Sequence, residues 1–501
     1  MCLHGLQRMS SQWYQVQYFL HVLAMHIKLS PALMSASDLS MALGGLRGMG
    51  GGRPFPLPAR GDGLGGDGLG RDGLGREEQD VMGLGAEMGM GVDMGMGGGV
   101  DMGVEMGMEA GVAVVDMGGE LVQAAQLAGL GAGRYSRKQR LPPGLLELLH
   151  ALESKLLRRS SPLTAPMAAR ALSGLRGLSN DVLVVRRLQQ LLAADMQRST
   201  DALRGESDEK DHSLASLPQA ELRLDSRGVG MGFFGLQNCT CSHWQTRLMV
   251  DALAQATEQA GPLSAQGVGN ALYGLQGMSC SHPEVRRALA ALAQKIEQMP
   301  LPQSRQNQPH NKSESLGVEG GAVGARAGKG RGPPDPYQFS GQNVGNALWG
   351  LRNMTTHSAH NAEVLALLVA LTPHVRRARS LNGQNIGNAL YALHAMDTAL
   401  PEVQGLLGAL AHQVVQYCIS PGQLSSLDIG MALYGMRNMD STLPEVRVIL
   451  GALLVKIRQS KGQLRTREVS MAIVGVLQTS PWIKEDYLRV LSSKIGASYV
   501  A

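Results

Sequence analysis

Aromatic side chains make up only 4% of the 501 residues, while glycine is abundant at 65. So few large rings, diluted by so much glycine, exclude one big, densely packed core. Cysteine is also scarce. Five residues (Cys2, Cys239, Cys241, Cys280, Cys418) lie scattered along the chain, too few and too dispersed for a disulfide framework. That usage suits a reducing compartment. Cys239 and Cys241 form a lone C-x-C with no second pair at metal-ligand spacing, so no metal site is expected. No apolar run reaches the roughly 18 residues of a membrane span, which excludes a membrane partner of that kind. "YFLHVLAMHI" (18–27) is too short and contains two histidines. The opening "MCLHGLQRMSS" lacks the features of a secretory or transit signal; it reads as the tail of a repeated segment, so the chain is expected to begin inside a unit.

Catalytic signatures are missing as well. There is no G-x-S-x-G, no H-E-x-x-H and no C-x-x-C pair, and "GARAGKGRG" (324–332) lacks the spacing of a phosphate loop. The expectation is a non-enzymatic protein with no catalytic residues and no cofactor. Net charge is only +5, yet it is unevenly spread. Between Gly50 and Glu120 stand 13 acidic and 4 basic residues. The rest of the chain is therefore basic, which suits a polyanionic partner or, equally, solvated helix faces.

What the chain does have is repetition. "QGVGNALYGLQGM" from Gln266, "QNVGNALWGLRNM" from Gln342, "QNIGNALYALHAM" from Gln384 and "LDIGMALYGMRNM" from Leu427 are variants of one segment. Each is followed by a second segment such as "PEVRRALAALAQKI" from Pro283 or "PEVRVILGALLVKI" from Pro444. Both segments carry helical periodicity: Val344, Ala347, Leu348 and Leu351 form one stripe, and Val446, Ile449, Leu450, Leu453 and Ile457 another. Pro in the first turn and the Glu after it suit a helix start. The fold expected is all-α, an α-solenoid of helix-turn-helix repeats of about 38–43 residues, interrupted by disordered low-complexity inserts.

Helical repeats are expected over 1–49, 139–198, 227–300 and 339–501. A Gly/Met/Asp-rich insert covers 50–138, a linker 199–226 and a second disordered linker 301–338. The 50–138 block falls between the two helices of one unit, since "PPGLLELLHALESKLL" (142–157) reads as a second helix.

With the residue at Gln342 as position 0, positions 2, 5, 6 and 9 are always apolar and mark the buried face. Positions 3 and 8 are nearly always Gly, which costs about 0.5–1 kcal/mol each in a helix interior. Their recurrence points to close approach of neighbouring helices. The opposite side holds positions 0, 4, 7 and 11: Gln266, Asn270 and Tyr273; Gln342, Asn346, Trp349 and Asn353; Gln384, Asn388 and Tyr391; and Tyr434 and Asn438. Arg352 and Arg437 at position 10 lie beside it. Amides can hydrogen-bond base edges, rings can stack on unpaired bases, and arginines can meet phosphates, which makes single-stranded RNA the partner this pattern suits. The alternatives are a protein or peptide held on the same face, or Tyr and Asn merely packing between adjacent first helices. His394, in the slot that Arg fills elsewhere, is expected at the surface.

The cores "GNALWGLRNM" and "GNALYALHAM", with the Pro-rich start "PPGLLELL" of a second helix, resemble the octotricopeptide-like helical repeats of organellar RNA-binding proteins, and the related heptatricopeptide repeats. Gly stands here where that family usually has Ala beside Leu, and no C-terminal RAP-like domain is visible. The resemblance implies RNA binding in chloroplast or mitochondrion, with a role in transcript stability, processing or translation.

Overall fold

Eight short helices each open on a cap and stop at, or within a few residues of, a recurrent glycine. They alternate with nine longer ones in the computed structural model. It describes residues 13–47, 141–206, 216–301, 335–357, 361–479 and 481–494, with Ser11, Met49 and Leu214. The inserts expected at 50–138 and in most of 301–338 lie outside the described residues, as does the segment before Ser11. Among the described residues every regular element is a helix.

The short set comprises α2 (Ala36–Gly44), α4 (Ala165–Gly174), α6 (Ser226–Phe234), α8 (Ala265–Gly274), α10 (Gly341–Gly350), α12 (Gly383–Ala392), α14 (Ser426–Gly435) and α16 (Thr466–Leu477). The long set comprises α1 (Tyr14–Leu29), α3 (Pro143–Arg158), α5 (Leu183–Arg204), α7 (Trp244–Gln259), α9 (Pro283–Glu297), α11 (Ala362–Arg376), α13 (Pro401–Ile419), α15 (Pro444–Gln459) and α17 (Pro481–Ser492). Helix α5 runs to Arg204, past the boundary expected at 198. It ends because Gly205 turns left-handed at φ 75°, a conformation glycine adopts without a Cβ penalty.

Packing follows sequence order in two rows. Each short helix lies on the next short one, from α2 through α16, and each long helix on the next long one, from α1 through α17. Helices α2 and α3 also touch, although residues 45–142 intervene. The stripes expected to be buried are buried: Val344, Leu348 and Leu351, and Val446, Ile449, Leu450, Leu453 and Ile457, are all 0% exposed.

Capping explains the short helices' starts. The side chains of Ser35, Asp225, Ser264, Ser340, Asn382 and Ser425 each accept a bond from the backbone N–H three residues on, satisfying a donor that has no intrahelical partner. Close approach explains their glycines. A Cβ on Gly274 would stand 2.0 Å from the Phe233 carbonyl oxygen, and one on Gly350 2.0 Å from that of Leu272. Position 8 therefore rests on the carbonyl of position 6 in the preceding unit.

The long row has its own clamp, which sequence periodicity did not reveal. Lys155 Nζ donates to the carbonyls of Ser30 (2.6 Å) and Ala32 (2.8 Å), Lys295 Nζ to that of Ala260 (2.5 Å), and Lys456 Nζ to that of Ser420 (2.5 Å). Gln413, at the matching place in α13, donates to Val375 and Arg376. Each cation meets the negative C-terminal end of the preceding long helix, where carbonyls lack partners.

Candidate functional site

The short row brings its aromatic residues into one ladder. Phe234 and Tyr273 have ring centroids 5.5 Å apart, Trp349 and Tyr391 5.4 Å, and Tyr391 and Tyr434 5.6 Å, the last pair stacked. Those separations are direct ring contact, so the ring faces are occupied by one another and only edges remain for a ligand. Guanidinium groups cap the ladder: Arg176 over Phe234 at 5.5 Å, Arg352 over Trp349 at 4.5 Å and Arg437 over Tyr434 at 4.0 Å. His394 belongs to the ladder rather than to the surface. Its ring lies 5.3 Å from Tyr391 and 6.4 Å from Tyr434, with Nδ1 2.8 Å from the Tyr391 carbonyl.

Positions 10 and 11 do not share the helical projection of positions 0, 4 and 7. The short helices stop near position 8, and the chain continues as a tight turn, a 3-10 turn at Leu393–Ala395 and at Met436–Asn438. The reason is the glycine, which costs helix stability and permits the turn. Asn353 and Asn438 are therefore displaced from the face assigned to them. Asn353 Nδ2 donates to the Gln276 carbonyl (2.7 Å) and Asn438 Nδ2 to the His394 carbonyl (2.9 Å), tying each turn to the turn of the preceding unit. Gln276 and Gln237 continue the same series, donating to Gln237 O (2.9 Å) and Arg176 O (3.2 Å). Gln276 was not anticipated. Buried at position 10, its Oε1 accepts from Trp349 Nε1 (2.8 Å) and from Arg352, fixing the indole and the guanidinium together.

The remaining expected residues divide by depth. Gln266, Gln342 and Gln384 are exposed, Asn270 is half-buried, and Asn346 and Asn388 are only 8% and 6% exposed. Tyr273 and Tyr434 are buried, whereas Trp349 and Tyr391 are half-buried. Among the described residues, the Asn346 and Asn388 side chains make no hydrogen bond, and neither amide is sealed from solvent. A carboxamide carries two donors and an acceptor with two lone pairs, so each can engage a donor–acceptor edge offered from outside.

Charge separates this row from the other. In the long row, Arg287 pairs with Glu258 (2.8 Å) and Asp251 (3.3 Å), Arg247 with Glu284 (3.6 Å) and Arg286 with Glu363 (3.8 Å). In the short row, Arg437 and Arg467 have no carboxylate within ion-pair distance among the described residues. Arg437 Nη1 and Arg467 Nε are sealed without a hydrogen-bond partner there. Burial raises the Tyr391 hydroxyl above its ordinary range, and Tyr434 adds to this; Arg437, Arg352 and Arg467 act the other way. Burial lowers His394, and Arg437 lowers it further, so near neutrality the ring is uncharged.

Among the described residues no group of three or more His, Cys, Asp or Glu could hold a metal ion, and no helix is long and apolar enough to cross a membrane. The chain matches no protein-family model, no curated protein and no solved structure.

Proposed function

We propose that this chain is a non-enzymatic α-solenoid that binds single-stranded RNA along its short-helix row. One observation carries the reading: Asn346 and Asn388 offer unpartnered amides beside Arg437 and Arg467, whose charge no described carboxylate neutralises. An extended polyanion would meet the guanidinium groups through its phosphates and the amides through its base edges. Because the rings close on one another, bases would meet the edges of Trp349 and Tyr391 rather than slot between them. The resemblance to octotricopeptide-like repeats supports the same partner, and extends the proposal to transcript stability, processing or translation in chloroplast or mitochondrion.

The test is equilibrium binding of the full chain to a random single-stranded RNA pool at two salt concentrations. Affinity is expected to fall with salt, with a slope of about −0.7 per phosphate contacted. Arg437→Ala with Arg467→Ala should flatten that slope. Asn346→Ala with Asn388→Ala should weaken binding about fivefold for each hydrogen bond lost, at ~1 kcal/mol apiece, without changing the slope. Salt-independent binding, or none at low salt, would sink the proposal and favour a protein or peptide ligand.

A further inference from the structure

Helix α1 leads the long row and turns one face away from it. Val16, Leu20 and Ala24 are buried on the side packed against α3. The outward side carries Tyr14, Tyr18, Met25 and Leu29, exposed to 77%, 62%, 41% and 75%. Between them lies an open depression of about 290 Å³ lined by Tyr18, His21, Val22, Met25, His26 and Leu29. Every inner long helix has a long helix on both sides, so this is the surface on which the row's own packing would continue. The opposite end differs: α17 leaves Glu485, Arg489 and Ser492 exposed, with Trp482 covered in part by Arg447. An apolar stripe this long needs a partner.

We propose that the partner is a second copy of this chain, joined α1 to α1 in antiparallel fashion about a two-fold axis between His21 and Val22. The outward stripe is symmetric about that point. Tyr14 meets Leu29 of the second copy, Tyr18 meets Met25, and His21 meets Val22, so one patch is complementary to itself, as an isologous interface requires. The larger Tyr18 and Met25 side chains enter the depression of the opposite copy. Charge selects the same arrangement. The helix has no acidic residue, and its cationic residues are His21, His26 and Lys28. Antiparallel pairing places Lys28 against Gln15 of the second copy, whereas parallel pairing would set Lys28 against Lys28. A 16-residue helix spans ~24 Å. Two such helices bury on the order of 600 Å² per copy, below the roughly 800 Å² of a standard interface, so the dimer is a reversible one of micromolar affinity.

Sedimentation of the full chain from about 1 to 100 micromolar is expected to show a shift from one-chain to two-chain mass. Tyr18→Glu with Met25→Glu should hold the protein at one chain with its helical circular dichroism unchanged, since both side chains are exposed. Leu488→Glu, on α17, should leave the dimer intact. Val22→Cys, next to the axis, should cross-link under mild oxidation beyond the level of the parent chain, and Tyr14→Cys should not. A single-chain mass throughout, a dimer that survives the double variant, loss of the dimer in Leu488→Glu, or cross-linking through Tyr14→Cys would each overturn the proposal.

Discussion

The two helix rows have the same periodic core and opposite surfaces. In the long row, cations are bound internally: Lys295 caps the end of α7, and Arg287 bridges Glu258 and Asp251. In the short row, rings and turns interlock, yet the amides of Asn346 and Asn388 and the charges of Arg437 and Arg467 stay unmatched among the described residues. The difference teaches where to look for a ligand in a repeat protein. A row whose polar groups satisfy one another serves the scaffold, and a row that leaves them unsatisfied has capacity for something else.

Glycine offers the sharpest way to break the comparison. Gly274→Ala would put a methyl 2.0 Å from the Phe233 carbonyl, and backbone cannot move aside as a side chain can. A loss of about 3 kcal/mol or more is expected, read as a lower urea midpoint. Next in size, Lys295→Met removes the charged donor to Ala260 O, with an expected loss of about 1.5–3 kcal/mol by the same measurement. Gly451→Ala in α15 has the opposite sign. A Cβ there meets nothing within 4 Å, so it should stabilise by about 0.5–1 kcal/mol. Were both glycine variants to shift stability alike, close approach would not be what distinguishes the rows.

The smallest effect expected is one of pH. Burial lowers His374, and Arg377 adds to the lowering, while a backbone hydrogen bond at Ile296 opposes it. His394 is lowered too. A depressed histidine binds fewer protons folded than unfolded, so its contribution is complete above the ordinary value of 6.5 and is lost as pH falls below it. The denaturation midpoint should therefore drop between pH 7 and pH 5. His374→Gln, which matches Gln413 at the same place in α13, should flatten the drop.

Much of this was legible beforehand. The stripe of Val344, Ala347, Leu348 and Leu351 was readable because helical periodicity is local, and close approach at position 8 because a costly residue recurred in register. The fate of Asn353 and Asn438 was not. Extending the helical projection to position 11 assumed a helix that had already stopped at the glycine. Gln276 escaped notice because its partners, Trp349 and Arg352, lie across residues 301–338, and no spacing rule reaches that far. His394 was expected at the surface because its neighbours along the chain do not include the Tyr434 ring that encloses it.

Sequence by itself determined that the chain folds as paired helices with a continuous apolar stripe, since propensity, capping and periodicity act over a few residues. Only the tertiary structure decided which polar groups are consumed. A ring, an amide or a guanidinium is satisfied or left open by the unit stacked against it, and that unit lies some forty or more residues away.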